Sequence, residues 1–182
     1  MSLVSNLFLL FVAASVLVYY IVPHKFQWLG LLCFSYIYYL AGGVRYVGFL
    51  LFSTLITWLI ALAVEKTEAK GSHKGARNLL VLGLLLNFGM LGVVKYTNFA
   101  IENLNALFHM NLRGMEILLP LGISFYTFQS SGYLLDVYWK RCEAEKNPVK
   151  YALFVSFFPQ ILQGPIGRYS RLAHQLYEPH KF

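Results

Sequence analysis

The chain has 182 residues, of which 58% are hydrophobic and 13% charged, against roughly a quarter charged in an ordinary soluble domain. That composition excludes an ordinary soluble domain and predicts an all-α integral membrane protein, a multi-span helical bundle. The net charge of +7 does not point to nucleic acid, because most Lys and Arg fall in short polar connections, where they orient helices and meet the anionic headgroups of the lipid bilayer.

The first apolar run, 3–22, holds 20 uncharged residues, which at about 1.5 Å each match a hydrocarbon core of about 30 Å. No basic residue precedes it, and its small residues Ala13, Ala14 and Ser15 sit mid-run, so it reads as an uncleaved span rather than a cleaved signal. Pro23, His24 and Lys25 close it. The second run, 26–41, is shorter and carries Tyr36, Tyr38 and Tyr39 before Gly42 and Gly43. The third is 46–64. Residues 65–78 form a soluble connection in which Lys66, Lys70, Lys74 and Arg77 outnumber Glu65 and Glu68. The positive-inside rule places it in the cytoplasm, which puts the amino terminus outside, His24 and Lys25 inside and Gly42 and Gly43 outside. Arg45, on the outer side, runs against that count.

The fourth run, 79–94, ends at Lys95, whose ammonium snorkels to the headgroups. In 97–108, Ala100, Ile101, Leu104, Leu107 and Phe108 share one face at helical spacing. The segment is either a short helix lying in the outer interface or an ordered loop.

The fifth membrane segment, 118–139, has Pro120 and Gly122 as a break near its start. Beyond them Tyr126, Gln129, Tyr133, Asp136 and Lys140 recur at steps of three and four, one stripe of a helix, while Phe125, Phe128, Gly132, Leu135 and Trp139 form an apolar face. Lys140, Arg141, Lys146 and Lys150 return the chain to the cytoplasmic side. Residues 151–167 cannot be one straight span. Pro159 removes an amide donor and disfavours helix at Phe158, and Gly164 and Pro165 stop whatever restarts. A broken or re-entrant segment packed inside the protein is expected, with Ser156, Gln160 and Gln163 on one face and a polar tail after Arg168, Arg171 and His174. The whole chain, 1–182, reads as one polytopic domain.

Polar groups at membrane depth are costly and are candidate functional groups. Tyr126, Gln129, Tyr133, Asp136, Gln160 and Gln163 are therefore candidate lining of a polar cavity. Each has a structural alternative: Asp136 pairs with a Lys or Arg, the tyrosines anchor at the interface or join helices, and Gln160 and Gln163 satisfy backbone freed by Pro159 and Pro165. Cys33 and Cys142 are too far apart in sequence and setting to suggest a disulfide, and no metal-ligand spacing or phosphate-cradling loop occurs. Ser124, Ser130 and Ser131 have no His nearby in sequence. Broken helices with internal Gln and Asp would equally suit a transporter piece, and a non-catalytic membrane scaffold for polymer export is a further alternative.

Three passages carry a resemblance. LGVVKYTNF from Leu91, LPLGISFYTFQSSGYLLDVY from Leu119 and SFFPQILQGPIGRY from Ser156 are similar, in order and spacing, to the amino-terminal part of membrane-bound O-acyltransferases. The subgroup they resemble is the bacterial one that acts on alginate and teichoic acid. The resemblance implies a multi-pass protein of the bacterial cytoplasmic membrane. It implies transfer of an acyl group, acetyl foremost, from a thioester or carrier-linked donor to hydroxyls of an exported polysaccharide. An acyl-carrier or acyl-donor protein and the surface polysaccharide machinery are the implied partners, and no bound cofactor is implied. Members are much longer, and the histidine regarded as catalytic lies in an apolar helix of their carboxyl-terminal half. Here His24, His73, His109, His174 and His180 all sit in connections or the tail, so none matches that position. The chain is expected to be the amino-terminal portion of such an enzyme, and inactive alone.

Overall fold

The computed structural model describes residues 6–108, 113–114, 120, 122–163 and 167–178, excepting the side chains of Arg45, Leu162, Gln163 and His174. Expectations for the first residues of the first run, for the start of the fifth, for His109 and His180, and for Gly164 and Pro165 lie outside the described residues. The described chain is entirely helical: α1 (Asn6–Ile21), a 3-10 turn (His24–Phe26), α2 (Gln27–Gly42), α3 (Val44–Ala69), α4 (His73–Phe108), α5 (Ile123–Tyr138), α6 (Pro148–Ser156), α7 (Phe158–Gln163) and α8 (Tyr169–Tyr177). Two helices are long and apolar enough to cross a membrane, Tyr46–Ala69 within α3 and His73–Phe108.

Helices α3, α4 and α5 pack as a trio around Ala61, Val64, Leu80, Leu91, Leu134 and Val137. Gly83 sets how closely they approach, since a Cβ there would lie 2.8 Å from Leu134 Cδ1 and 3.1 Å from Ile60 Cγ2. A polar clasp fixes α3 to α4. Ser53 Oγ donates to Asn87 Oδ1 at 2.8 Å, and Asn87 Nδ2 donates to Thr57 Oγ1 at 2.9 Å and to the Gly83 carbonyl at 3.0 Å. Helix α2 packs against α3 and α6, and α1 leans on α2 and α7 through aromatic edges, with Phe11 5.3 Å from Phe158. Outward faces stay apolar: Leu9, Leu10, Leu17 and Ile21 on α1, Phe52, Leu55 and Leu59 on α3, and Leu85 and Val93 on α4 are all exposed.

Two boundaries differ from the sequence expectation. The segment 65–78 is nearly all helix, with only 70–72 between α3 and α4. Glu, Lys and Ala are strong helix formers, so polarity there marks where the helix leaves apolar surroundings, not where it ends. The second correction concerns 97–108, which is no separate interfacial helix but the last third of α4. No Pro or Gly interrupts it, and its polar side chains bond back one turn: Thr97 to the Val93 carbonyl, Asn103 to the Phe99 carbonyl at 2.7 Å.

Helix α5 starts at Gly122, which has φ +70, and ends with Lys140 in the left-handed conformation at φ 57. There the Arg141 amide donates to the Asp136 carbonyl at 2.8 Å and the Lys140 amide to the Val137 carbonyl at 3.0 Å, closing the helix in a Schellman pattern. The break in 151–167 falls at Phe157, one residue earlier than Pro159 suggested. Phe158 opens α7 and Pro159 takes its second position, where a missing amide hydrogen costs nothing.

At Gly122 a Cβ would sit 2.4 Å from Ile161 Cγ2, against α7, in a conformation that L side chains rarely adopt. Gly122→Ala is expected to lower stability by at least about 1 kcal/mol from backbone strain alone, with displacement of α7 adding to it. A melting temperature in detergent equal to that of the unsubstituted protein would refute the packing of α5 on α7.

Candidate functional site

The expected stripe of α5 is buried: Tyr126, Gln129, Tyr133 and Asp136 all face the interior. Its two halves do different things. Near the carboxyl end, Tyr133 Oη accepts the Glu145 amide hydrogen at 2.8 Å, and Asp136 Oδ1 takes a long contact of 3.5 Å from Arg141 Nη1. Asp136 thus has the basic partner that one of its two readings proposed.

These contacts belong to a network that folds the connection 139–147 onto the bundle. The Glu145 carboxylate accepts the Tyr169 hydroxyl at 2.6 Å and the Asn147 amide at 2.8 Å, while its carbonyl accepts the Trp58 indole at 2.7 Å. Glu65 Oε1 accepts the Ala144 amide at 2.8 Å, and Glu68 Oε1 lies 3.3 Å from Lys140 Nζ and 2.5 Å from His73 Nδ1. Asn147 caps α6 by accepting from Val149 and Lys150. Tyr133, Tyr151 and Tyr169 stack, with ring centroids 4.7 and 4.9 Å from Tyr133. Burial pushes the phenols of Tyr169 and Tyr177 well above their ordinary value. Burial, then the nearby Asp136 and Glu65, raises the Cys142 thiol to about 11, so it is no ready nucleophile. Cys33 and Cys142 are both free.

At the other half of the stripe, α5 meets the broken segment. The break leaves the Phe154 carbonyl and the Phe158 amide without each other. Gln129 Nε2 donates to that carbonyl at 3.0 Å and also reaches Gln160 Oε1 at 3.3 Å; the Phe158 amide donates to Ser35 Oγ of α2 at 3.3 Å. At this break Gln129 and Ser35 satisfy the freed backbone. Gln160 packs on Gly167, where a Cβ would lie 2.3 Å from its amide nitrogen. Gln163 ends α7, and its side chain is not among those described.

Ser156 Oγ, at the break itself, is buried with no hydrogen bond among the described residues, and three further buried polar atoms bear on the site. Tyr39 Oη of α2, Tyr126 Oη and Gln129 Oε1 make no hydrogen bond among the described residues. Tyr39 is 1% exposed and Tyr126 0%. Gly122 stands between two of these residues: a Cβ on it would lie 3.7 Å from Tyr39 Oη, and its carbonyl accepts the Tyr126 backbone amide at 3.0 Å. Buried hydroxyls are ordinarily paired, so such a group of acceptors and donors suits a polar guest. Tyr39 escaped sequence reading because Tyr36, Tyr38 and Tyr39 together look like an interfacial belt, yet Tyr38 and Tyr39 are both buried.

A probable alginate O-acetylase of Azotobacter vinelandii is 35% identical over 178 residues, covering 94% of this chain and 35% of the relative. A peptidoglycan O-acetyltransferase of Helicobacter pylori is 32% identical, covering 82% of this chain and 32% of the relative. The chain belongs to the membrane-bound O-acyltransferase family. A third relative, a teichoic acid D-alanyltransferase of Lacticaseibacillus rhamnosus, is 28% identical over 131 residues, 72% of this chain. The chain spans about a third of the length of the acyltransferases it matches, in their amino-terminal part. No family model and no solved structure matches it.

Two residues of the amino half of the stripe predict opposite results. Gln129→Leu strands the Phe154 carbonyl and is expected to destabilise by about 1–3 kcal/mol. Tyr126→Phe removes a hydroxyl with no protein partner and is expected to leave the melting temperature unchanged or raised. Equal losses in both, measured in one detergent, would show that Tyr126 Oη has a structural partner after all.

Proposed function

We propose that this chain is the amino-terminal portion of a membrane enzyme that transfers an acyl group, acetyl foremost, to hydroxyls of an exported polysaccharide. The observation that carries the reading is the 35% identity to an alginate O-acetylase across nearly the whole chain. The buried Tyr39, Tyr126 and Gln129, with the half-buried Gln160 beside Gln129, support it. In acyl transfer the acceptor oxygen bonds to the acyl carbon, the bond to the donor breaks, and the acceptor proton passes to a base while hydrogen-bond donors hold the developing oxyanion. The unpaired hydroxyls of Tyr39 and Tyr126 would supply such donors. The donor is a thioester or a carrier-linked acyl group, brought by an acyl-donor protein, and the acceptor comes from the surface polysaccharide machinery.

In this reading none of the described histidines serves as the base. His24 lies in an exposed turn and His73 opens α4 beside Glu68. His174 belongs to α8. In this reading the base corresponds to the part of the longer relatives that the chain does not match. Alone, the chain is expected to transfer nothing: acyl thioester and polymer incubated with the purified protein should give only background product, and clear turnover would overturn the assignment of roles.

The chain is further read as a multi-pass protein of the bacterial cytoplasmic membrane, amino terminus outside, with α1 to α5 crossing and α6–α7 as a broken segment inside the bundle. The gathering of Glu68, His73, Lys140 and Arg141 at one end of the bundle supports this, since the positive-inside count put their two connections on the same face. A cysteine introduced as Ser72→Cys should react with an impermeant maleimide only after the cells are permeabilised. Labelling of intact cells would invert the topology.

A further inference from the structure

The same end of the bundle holds a cavity that the acyl-transfer reading does not use. It measures about 560 Å³ and is lined by His24, Lys25, Phe26 and Trp28 from the start of α2, by Lys150 of α6 and by Tyr177 of α8. Three groups of its wall are cations or titrate to one, three are aromatic, and no Asp or Glu lines it. Neither Lys25 nor Lys150 makes an ion pair among the described residues.

Lys150 is held in place from two directions. Tyr177 Oη donates to its carbonyl at 2.7 Å, and its ammonium stands 5.0 Å from the centroid of the same ring. The amides of Val149 and Lys150 are already taken by Asn147, so attraction for an anion comes from the side chains and not from the helix end. On the other wall, Pro23 is extended and the 3-10 turn that follows brings His24 and Lys25 to the rim beside Trp28. Side chains far apart in sequence thus form one concave basic surface with aromatic walls. Its size falls within the range of about 300–1,000 Å³ usual for ligand sites.

We propose that this cavity binds the phosphate of an anionic phospholipid headgroup, with Lys25, Lys150 and His24 around the phosphate and Phe26 and Trp28 beside the glycerol and upper acyl chains. The chemistry fits a bilayer surface: ammonium groups meet the phosphate charge, and a Trp at headgroup depth presents an apolar body and a polar edge to the two sides of the interface. The shared recognition element is a phosphate anion, which a lipid or a free phosphate can supply.

The test uses the whole chain in a neutral detergent, with melting temperature followed against short-chain phosphatidylglycerol, phosphatidylcholine or inorganic phosphate. Phosphatidylglycerol is expected to raise the melting temperature and phosphatidylcholine to leave it unchanged. The Lys25→Gln/Lys150→Gln variant should need at least tenfold more phosphatidylglycerol for the same shift. If inorganic phosphate at equal concentration matches phosphatidylglycerol, the site reads free phosphate; if only the lipid acts, it reads a headgroup. Equal responses to phosphatidylglycerol in the variant and the parent, or equal effects of the two lipids, overturn the proposal. Should the variant not fold, the parent decides: its half-saturation by phosphatidylglycerol must weaken as sodium chloride rises, and salt independence overturns the site.

Discussion

A helix broken where water does not reach frees a carbonyl and an amide that must find other partners, and the rest of this structure depends on how that is met. The Phe154 carbonyl is taken by Gln129 of α5 and the Phe158 amide by Ser35 of α2. Both partners are themselves constrained. Gln129 is buried and shares its amide with Gln160, and the Ser35 hydroxyl also donates to the Leu31 carbonyl of its own helix at 2.8 Å. The break therefore fixes the rotation of α2 and α5 about their axes. Once those are set, Tyr39 and Tyr126 have no choice but to face each other's neighbourhood across Gly122.

A second constraint operates at the charged end. The connection 139–147 carries five charged residues, yet it folds inward instead of trailing in solvent, because Glu65, Tyr133, Trp58 and Tyr169 each take one of its polar groups. An exposed ion pair adds little; a neutral hydrogen bond in a half-buried setting adds about as much and is not screened by salt. Two bonds of the network are neutral and three end on the Glu65 and Glu145 carboxylates, so hydrogen bonds, several of them charge-assisted, hold the connection more than ion pairs do.

Much of this was legible in the sequence. Composition pointed to helices, Pro159 pointed to a break, and the spacing of Tyr126, Gln129, Tyr133 and Asp136 pointed to a single face of α5, which is buried. What eluded reading depends on a partner remote in sequence. Asn87 is one polar residue in an apolar run until Ser53 and Thr57 stand opposite it; Ser35 is unremarkable until Phe158 is beside it. Polarity misled at 65–78, since charged residues form helices as readily as apolar ones. It misled again at 97–108, where Thr97 and Asn103 bond within their own helix instead of ending it.

The distances along the chain between bonded partners also bear on how the protein is made. The Ser53–Asn87 bond closes 34 residues, across a connection of only three, so α3 and α4 can clasp as soon as both have left the ribosome. The bond between Ser35 and the Phe158 amide closes 123. Helix α2 is synthesised before that hairpin, yet its buried hydroxyl has to wait for α7, nearly the last element described. Helix α2 also packs on α3, but the bond that fixes its rotation at Ser35 can form only once the broken segment is in place.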